Sequence, residues 1–220
     1  MLEFVKAFRL AICSSLLLIA ASPRAELWRF DRLDTIDGHQ VTVVGHPHVV
    51  ETPYGKAMEF NGVDDAIFVD AHPLAGVEQF TWEAIIRPDV GGNPAQRFFH
   101  LQEEGTDNRM LFEIRVVGSE WCLDSFAKSG EESRALMDPK KLHPLGTWHH
   151  VAAVYDGHEF RNYVDGVQEG AGPLHLAPHR PGRSSVGVRF NKVDYFKGGI
   201  LLGRMTPRAL APSEFLKTLR

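Results

Sequence analysis

The 220-residue chain carries 24 basic and 28 acidic residues, a formal net charge of −4, with 44% hydrophobic and 24% charged residues. These proportions fit a globular protein with one well-filled core and exclude a disordered chain, a collagen-like repeat and a multi-span membrane protein. With no basic excess there is no counterion-release drive toward nucleic acid, and that partner is set aside.

In chain order, the first element is unlike the rest. Lys6 and Arg9 precede an apolar run over 10–21, broken only by Ser14 and Ser15, and small residues follow at Ala20, Ala21, Ser22 and Ala25. This layout predicts a secretory signal peptide over 1–25, its apolar run too short to span a bilayer comfortably, with a membrane anchor as the alternative. The expected location is secreted or periplasmic, with no stable membrane span once the signal is removed. Pro23 and Arg24 leave the cleavage position open. Cys13 departs with the signal, so Cys122 stands alone and an internal disulfide is excluded. Between Trp121 and Leu123, that cysteine reads as a small buried apolar residue.

From residue 26 onward, short runs of period-two alternation recur between Gly, Pro, Asn and Asp clusters. Strands are predicted at 41–44, 57–60, 66–69, 80–87, 97–102, 110–117, 121–126, 149–155, 160–164, 186–190 and 199–205. Asp156-Gly157 and Asp165-Gly166 lie between apolar-rich flanks and predict tight hairpins, because Asp and Gly tolerate positive φ. In the run 148–155, Trp148, His150, Ala152 and Val154 share one face and His149, Val151, Ala153 and Tyr155 the other. Both faces are largely apolar, as expected of a strand covered on both sides. The stretch 211–217 predicts a turn of helix capped by Ser213. Many strands without intervening helices predict an all-β fold of two antiparallel sheets packed face to face, one domain over 26–220.

Four phrases and an ending, in order, carry a family resemblance. They are Phe60-Asn61-Gly62-Val63-Asp64-Asp65; Phe80-Thr81-Trp82-Glu83 running on to Arg87-Pro88; Trp148-His149-His150-Val151-Ala152 with Tyr155-Asp156-Gly157; Tyr163-Val164-Asp165-Gly166; and Arg208-Ala209-Leu210-Ala211-Pro212-Ser213-Glu214. Together they resemble the laminin-G-like modules of the concanavalin A-like lectin and glucanase superfamily, over roughly 57–215. The resemblance implies a two-sheet antiparallel jelly-roll sandwich with one concave sheet, to which 26–56 adds edge strands. It implies no single activity, because the fold hosts lectins, adhesion modules, lyases and glycosidases.

A retaining glucanase needs two carboxylates on one strand face, and the superfamily pattern Glu-x-Asp-x-x-Glu is missing here. Glu83, Glu113 and Asp124 stand alone on their strands, and Glu113 shares its face with Arg115, which reads as a charge pair. No catalytic residue is therefore assigned. Asn61, Asp64 and Asp65 offer the hard oxygens that a structural calcium ion takes. Relatives often complete such a site with a carboxylate on the last strand, but Leu201 and Leu202 stand in its place. No other cofactor is implied. His149 and His150 are adjacent on a strand, face opposite ways and lack zinc-ligand spacing, and no Gly-x-Ser-x-Gly hydrolase segment occurs.

Sugar recognition needs aromatic faces beside groups that hydrogen-bond hydroxyls. Trp121, Phe126, Tyr195 and Phe196 are the aromatics predicted near rims. Arg97, Gln102, Glu113, Arg115, Asp124, Arg189 and Asn191 are the candidate polar partners. The expectation is an exported, non-catalytic binding module for a carbohydrate or an extracellular protein surface. A polysaccharide hydrolase or lyase using Glu83, Glu113 or Asp124 and a structural accessory subunit of an envelope assembly are the alternatives.

Overall fold

Alternation decides which side of each strand is buried, and the apolar parity of the central strands builds the interior. The computed structural model describes residues 24–217, so the predicted signal segment 1–25 lies almost wholly outside the described residues. Seventeen strands follow one another: β1 Glu26–Arg29, β2 Thr35–Ile36, β3 His39–Val44, β4 His48–Thr52, β5 Gly55–Asn61, β6 Ala66–Val69, β7 Phe80–Pro88, β8 Ala95–Glu103, β9 Arg109–Val117, β10 Glu120–Ser129, β11 Glu132–Met137, β12 His143–Pro144, β13 His149–Tyr155, β14 Glu159–Val164, β15 Val167–Pro173, β16 Gly182–Val186 and β17 Lys197–Thr206. They form two antiparallel sheets. The eight-stranded sheet runs β15-β14-β13-β7-β17-β5-β4 with β1 beside β17; the nine-stranded sheet runs β11-β10-β9-β8-β16-β6-β3-β2 with β12 beside β10.

Between the sheets the inward parities meet. Phe112 of β9 stacks on Trp82 of β7 with ring centroids 4.1 Å apart, and Phe99 of β8 meets the same indole edge-on at 5.1 Å. Such aromatic pairs add to the burial energy that holds the layers together. On β13 the two predicted faces are both covered: Val151, Ala153 and Tyr155 enter the main core, while Ala152 and Val154 pack under Leu210 and Phe215. Asp165 and Gly166 take φ of 49° and 80°, the mirror-image turn that joins β14 to β15 in two residues.

Two expectations shift. The strand predicted at 186–190 ends at Val186, because Gly187 turns the chain with φ 83° and Lys192 N–H closes onto Arg189 O at 2.8 Å. The predicted helical turn is a 3₁₀ turn over Pro212–Glu214 whose cap is Ala211, not Ser213; the Glu214 carboxylate accepts the Ala211 N–H at 3.0 Å. No helix among the described residues is long and apolar enough to cross a membrane.

Candidate functional site

The outward parities give the two sheets different outer faces. On the eight-stranded sheet, Glu83 of β7 points away from the core, yet none of its surface reaches solvent. Arg204 Nε donates to it at 2.5 Å, His150 Nε2 at 3.0 Å and the Leu216 backbone N–H at 2.7 Å. Burial opposes its ionisation, and the bonds from His150, Arg204 and Leu216 overcome that and hold its carboxyl below the usual range. Phe215 then lies over His150 and Tyr163, at ring separations of 5.5 and 5.2 Å. The chain's own C-terminal segment therefore covers Glu83 and His150 on this face. A hollow of about 370 Å³ remains beside it, lined by His150, Asp165 and Phe215 among others.

On the nine-stranded sheet, β8, β9 and β10 align a row of charge. A bulge between Arg97 and Phe99 sends Phe98 and Phe99 both inward and leaves Arg97 and His100 on the outer side. Register then sets Arg97 opposite Glu113, and Glu113 opposite Asp124. Arg97 Nε lies 3.0 Å from Glu113 Oε1, and Arg115 Nη2 donates to Glu113 at 2.7 Å and to Asp124 at 2.6 Å. Asp194 pairs with Arg97 from above. The loop after β16 rests on the end of β8, where Asp194 O accepts the Arg97 N–H at 3.0 Å and Tyr195 bridges the strand. The Asp194 and Arg115 side chains keep 39% and 30% of their surface exposed, so this network, unlike the one around Glu83, opens to solvent. Burial pushes the Asp124 carboxyl up, the charge of Arg115 opposes this and that of Glu113 adds to it.

Four of the nine residues singled out as ligand contacts thus converge, Arg97, Glu113, Arg115 and Asp124; the Tyr195 backbone forms a β-bridge with that of Arg97, and Arg189 is half-buried on the same loop. Asn191 is exposed on the same loop, and Gln102, half-buried on β8, donates to Thr106 O at 2.8 Å. Trp121 is corrected. It is fully buried in the core, because Trp121 and Leu123 share the inward parity of β10, and it presents no face to a ligand. Phe196 is buried likewise, whereas Phe126 is half-buried with the Arg109 guanidinium 4.9 Å from its ring.

The predicted calcium oxygens are occupied by the turn itself. Asp65 accepts the His46 N–H at 2.6 Å and the Asn61 N–H at 2.9 Å, while Asn61 Oδ1 accepts the Val63 and Asp64 N–H groups at 2.8 and 3.1 Å. Asn61 Nδ2 in turn donates to Asp64 at 2.7 Å. Among the described residues no three His, Cys, Asp or Glu side chains gather as a metal site. Leu201 packs on Ala57 and Ile85. The Cys122 thiol is buried, and burial followed by the Asp124 charge pushes its pKa up.

One aromatic pair escaped the sequence reading. Phe68 of β6 and Phe190 lie half-buried on the outer side of the nine-stranded sheet, ring centroids 5.7 Å apart. Strand 66–69 is apolar at every position, so parity could not mark Phe68 as the residue that faces out. Two hollows flank the pair, of about 230 Å³ against Phe68 and about 160 Å³ against Phe190, and Arg183 lines both.

Fold and site define a two-sheet β-sandwich whose outer faces differ: on one the C-terminal segment covers Glu83 and His150, and on the other a solvent-open charged network lies on the same sheet as a half-buried aromatic pair. Residues 61–214 match the Laminin_G_3 family, described as concanavalin A-like lectin/glucanases superfamily, and the chain belongs to that family. No curated protein matches. Among solved structures, the chain is similar to domain 4 of AbnA, a GH43 extracellular arabinanase from Geobacillus stearothermophilus, in complex with arabinotriose: TM-score 0.58, 18% identity, 87% of this chain and 97% of that one. The ligand binding domain of botulinum neurotoxin serotype D, in complex with N-acetylneuraminic acid, is similar with TM-score 0.65 and 11% identity over 87% of this chain; the chain spans about half, 49%, of that domain. A SAP-like pentraxin from Limulus polyphemus gives TM-score 0.54 at 15% identity, covering 86% and 79%. At such identities the likeness is one of fold.

Proposed function

We propose that the chain is an exported, non-catalytic carbohydrate-binding module that engages glycan through the outer face of the nine-stranded sheet. The observation that carries this reading is the half-buried Phe68–Phe190 pair on the face that also holds the Arg97–Glu113–Arg115–Asp124 network. Aromatic rings supply apolar faces for sugar C–H groups, and a fixed network of donors and acceptors answers hydroxyls without reorganisation. The arabinotriose and N-acetylneuraminic acid bound by the two structural neighbours support the same class of ligand. Against catalysis stands Arg115: its Nη2 touches both Glu113 and Asp124, so a guanidinium fills the space between the two carboxylates that a glycosidic bond would need.

A glycan array followed by calorimetry tests the proposal. The expected result is binding without turnover, weakened at least tenfold by Phe190→Ala in a variant whose melting temperature is retained. Reducing-sugar release abolished by Glu113→Gln would overturn it in favour of a hydrolase. A stoichiometric protein partner with no glycan signal would overturn it in favour of an accessory subunit.

A further inference from the structure

The cations of this face divide into two groups. Arg97 and Arg115 are neutralised by Glu113, Asp124 and Asp194. By contrast, Arg183, Arg189 and Lys192 have no carboxylate within 4.0 Å among the described residues. All three come from β16 and the loop that follows it. Two are seated on the aromatic pair: the Arg183 guanidinium lies 5.6 Å from the Phe190 ring centroid and the Lys192 ammonium 5.8 Å from that of Phe68. Ring quadrupoles hold cations in such positions without cancelling their charge.

Beneath them His100 adds another unanswered donor. Its ring packs edge-on against Phe190 at 4.8 Å, and its Nδ1 accepts the Phe190 backbone N–H at 3.2 Å. The proton of the neutral ring then belongs to Nε2, which is buried and has no acceptor. His100 is 1% exposed, and burial together with the Arg189 and Arg109 charges lowers its pKa to about 3, so it does not add a positive charge of its own. Arg109 is held by Asp107, which Lys128 also engages, and its Nε too lacks an acceptor. Asp70 lines one flanking hollow and Glu103 and Glu104 the other, none within ion-pair distance of Arg183, and Glu103 is turned to Arg180 at 2.7 Å. Among the described residues, hydrogen-bond donors outnumber acceptors here.

We propose that Arg183, Arg189 and Lys192, set around the Phe68–Phe190 pair, bind the anionic group of an acidic sugar, a carboxylate or a sulfate, within the glycan that this face engages. The inference rests on the carbohydrate-binding reading above and narrows its ligand. Planar guanidinium forks answer both anions with paired N–H donors. A negatively charged protein attracts polyanions poorly overall, so affinity for one must come from a local patch.

The test measures binding of the full chain to polygalacturonate, dextran sulfate and neutral dextran and arabinan at two ionic strengths. Expected is at least tenfold tighter binding to one acidic polymer than to any neutral one, weakening as salt rises. Polygalacturonate preferred over dextran sulfate names the carboxylate; the reverse names the sulfate. Arg183→Gln combined with Lys192→Gln should remove about tenfold of that affinity. The control Lys140→Gln with Lys141→Gln, two exposed cations in another loop, should leave it within twofold. Binding to neutral polymers with no acidic preference, or equal losses in both double variants, overturns this inference and leaves the carbohydrate reading standing. Binding to none of the probes, with no hit on the glycan array, overturns both.

Discussion

Glu83 on one sheet and Glu113 on the other are both outward-facing carboxylates that pair with arginine, yet their surroundings are opposite. Around Glu83 every acceptor oxygen is used, Phe215 and Leu216 lie over the site, and neither the carboxylate nor His150 reaches solvent beyond 1%. Around Glu113 the network ends in Arg115 and Asp194, which do reach it. The same chemistry is a rivet where the chain covers it and a solvent-open network, proposed above as a binding surface, where it does not. What separates them is eight residues of polypeptide after Arg208, not the identity of the charged groups.

The largest expected effect lies on the closed side. Glu83→Gln leaves Arg204 and His150 facing an uncharged amide in a dry site, and breaking a buried pair from one side costs about 3–5 kcal/mol. Urea unfolding should register that loss while glycan affinity of the folded variant stays unchanged. An unchanged unfolding midpoint would mean that the cover is loose and the two faces alike. Phe215→Ala comes next, at about 3 kcal/mol, since it uncovers His150 and Tyr163 together.

Acid sensitivity follows with a worked sign. In the fold His100 titrates at about 3, against 6.5 when exposed, because burial first and then Arg189 and Arg109 oppose its charging. Between those values the unfolded chain binds more protons, so stability falls as pH drops from about 6.5 to about 3. His72, buried beside His179 and likewise lowered to about 3, shares that window. Glu103 adds a lower one: burial works against its charge, but Asn108 and Arg180 hold its pKa at about 2, so its contribution is lost between about 4.5 and 2. His100→Asn keeps an acceptor for the Phe190 N–H and should flatten the upper window by about 3 kcal/mol, read from unfolding midpoints between pH 7 and pH 4. A slope identical to the parent would place the ring in water.

How far the sequence foretold this arrangement depended on polarity and on register. Strands β6 and β13 match their predicted bounds, because apolar runs end there at sharp turn residues. Strands β11 and β15, with polar or glycine-rich sequences at sheet edges, gave no such signal. That Glu113 and Arg115 share a face was readable from the apolar parity of Met110, Phe112 and Ile114. That Arg97 and Asp124 join them was not, because cross-strand register is needed and the bulge after Arg97 shifts it. Trp121 differs in the opposite way: its parity with Leu123 turns it inward, so a place near a predicted rim does not expose it. Asp194 depends on a loop with φ of 56°, a conformation no periodicity announces.

The smallest effect is the sharpest probe of the open side. Burial raises the Asp124 pKa, so its charged form is disfavoured in the fold relative to the unfolded chain at neutral pH, and Arg115 only partly compensates. Asp124→Asn removes that unfavourable charge, keeps an oxygen for Arg115 to meet, and leaves Glu113 to neutralise the guanidinium. The stability change should therefore stay within about 1 kcal/mol, in contrast to the matching change at Glu83. Glycan affinity should nevertheless fall several-fold, because Arg115, now less constrained, no longer offers its nitrogens in a fixed direction. A loss of 3 kcal/mol or more with affinity intact would make this network a second rivet, and would move the binding surface away from β8, β9 and β10 altogether.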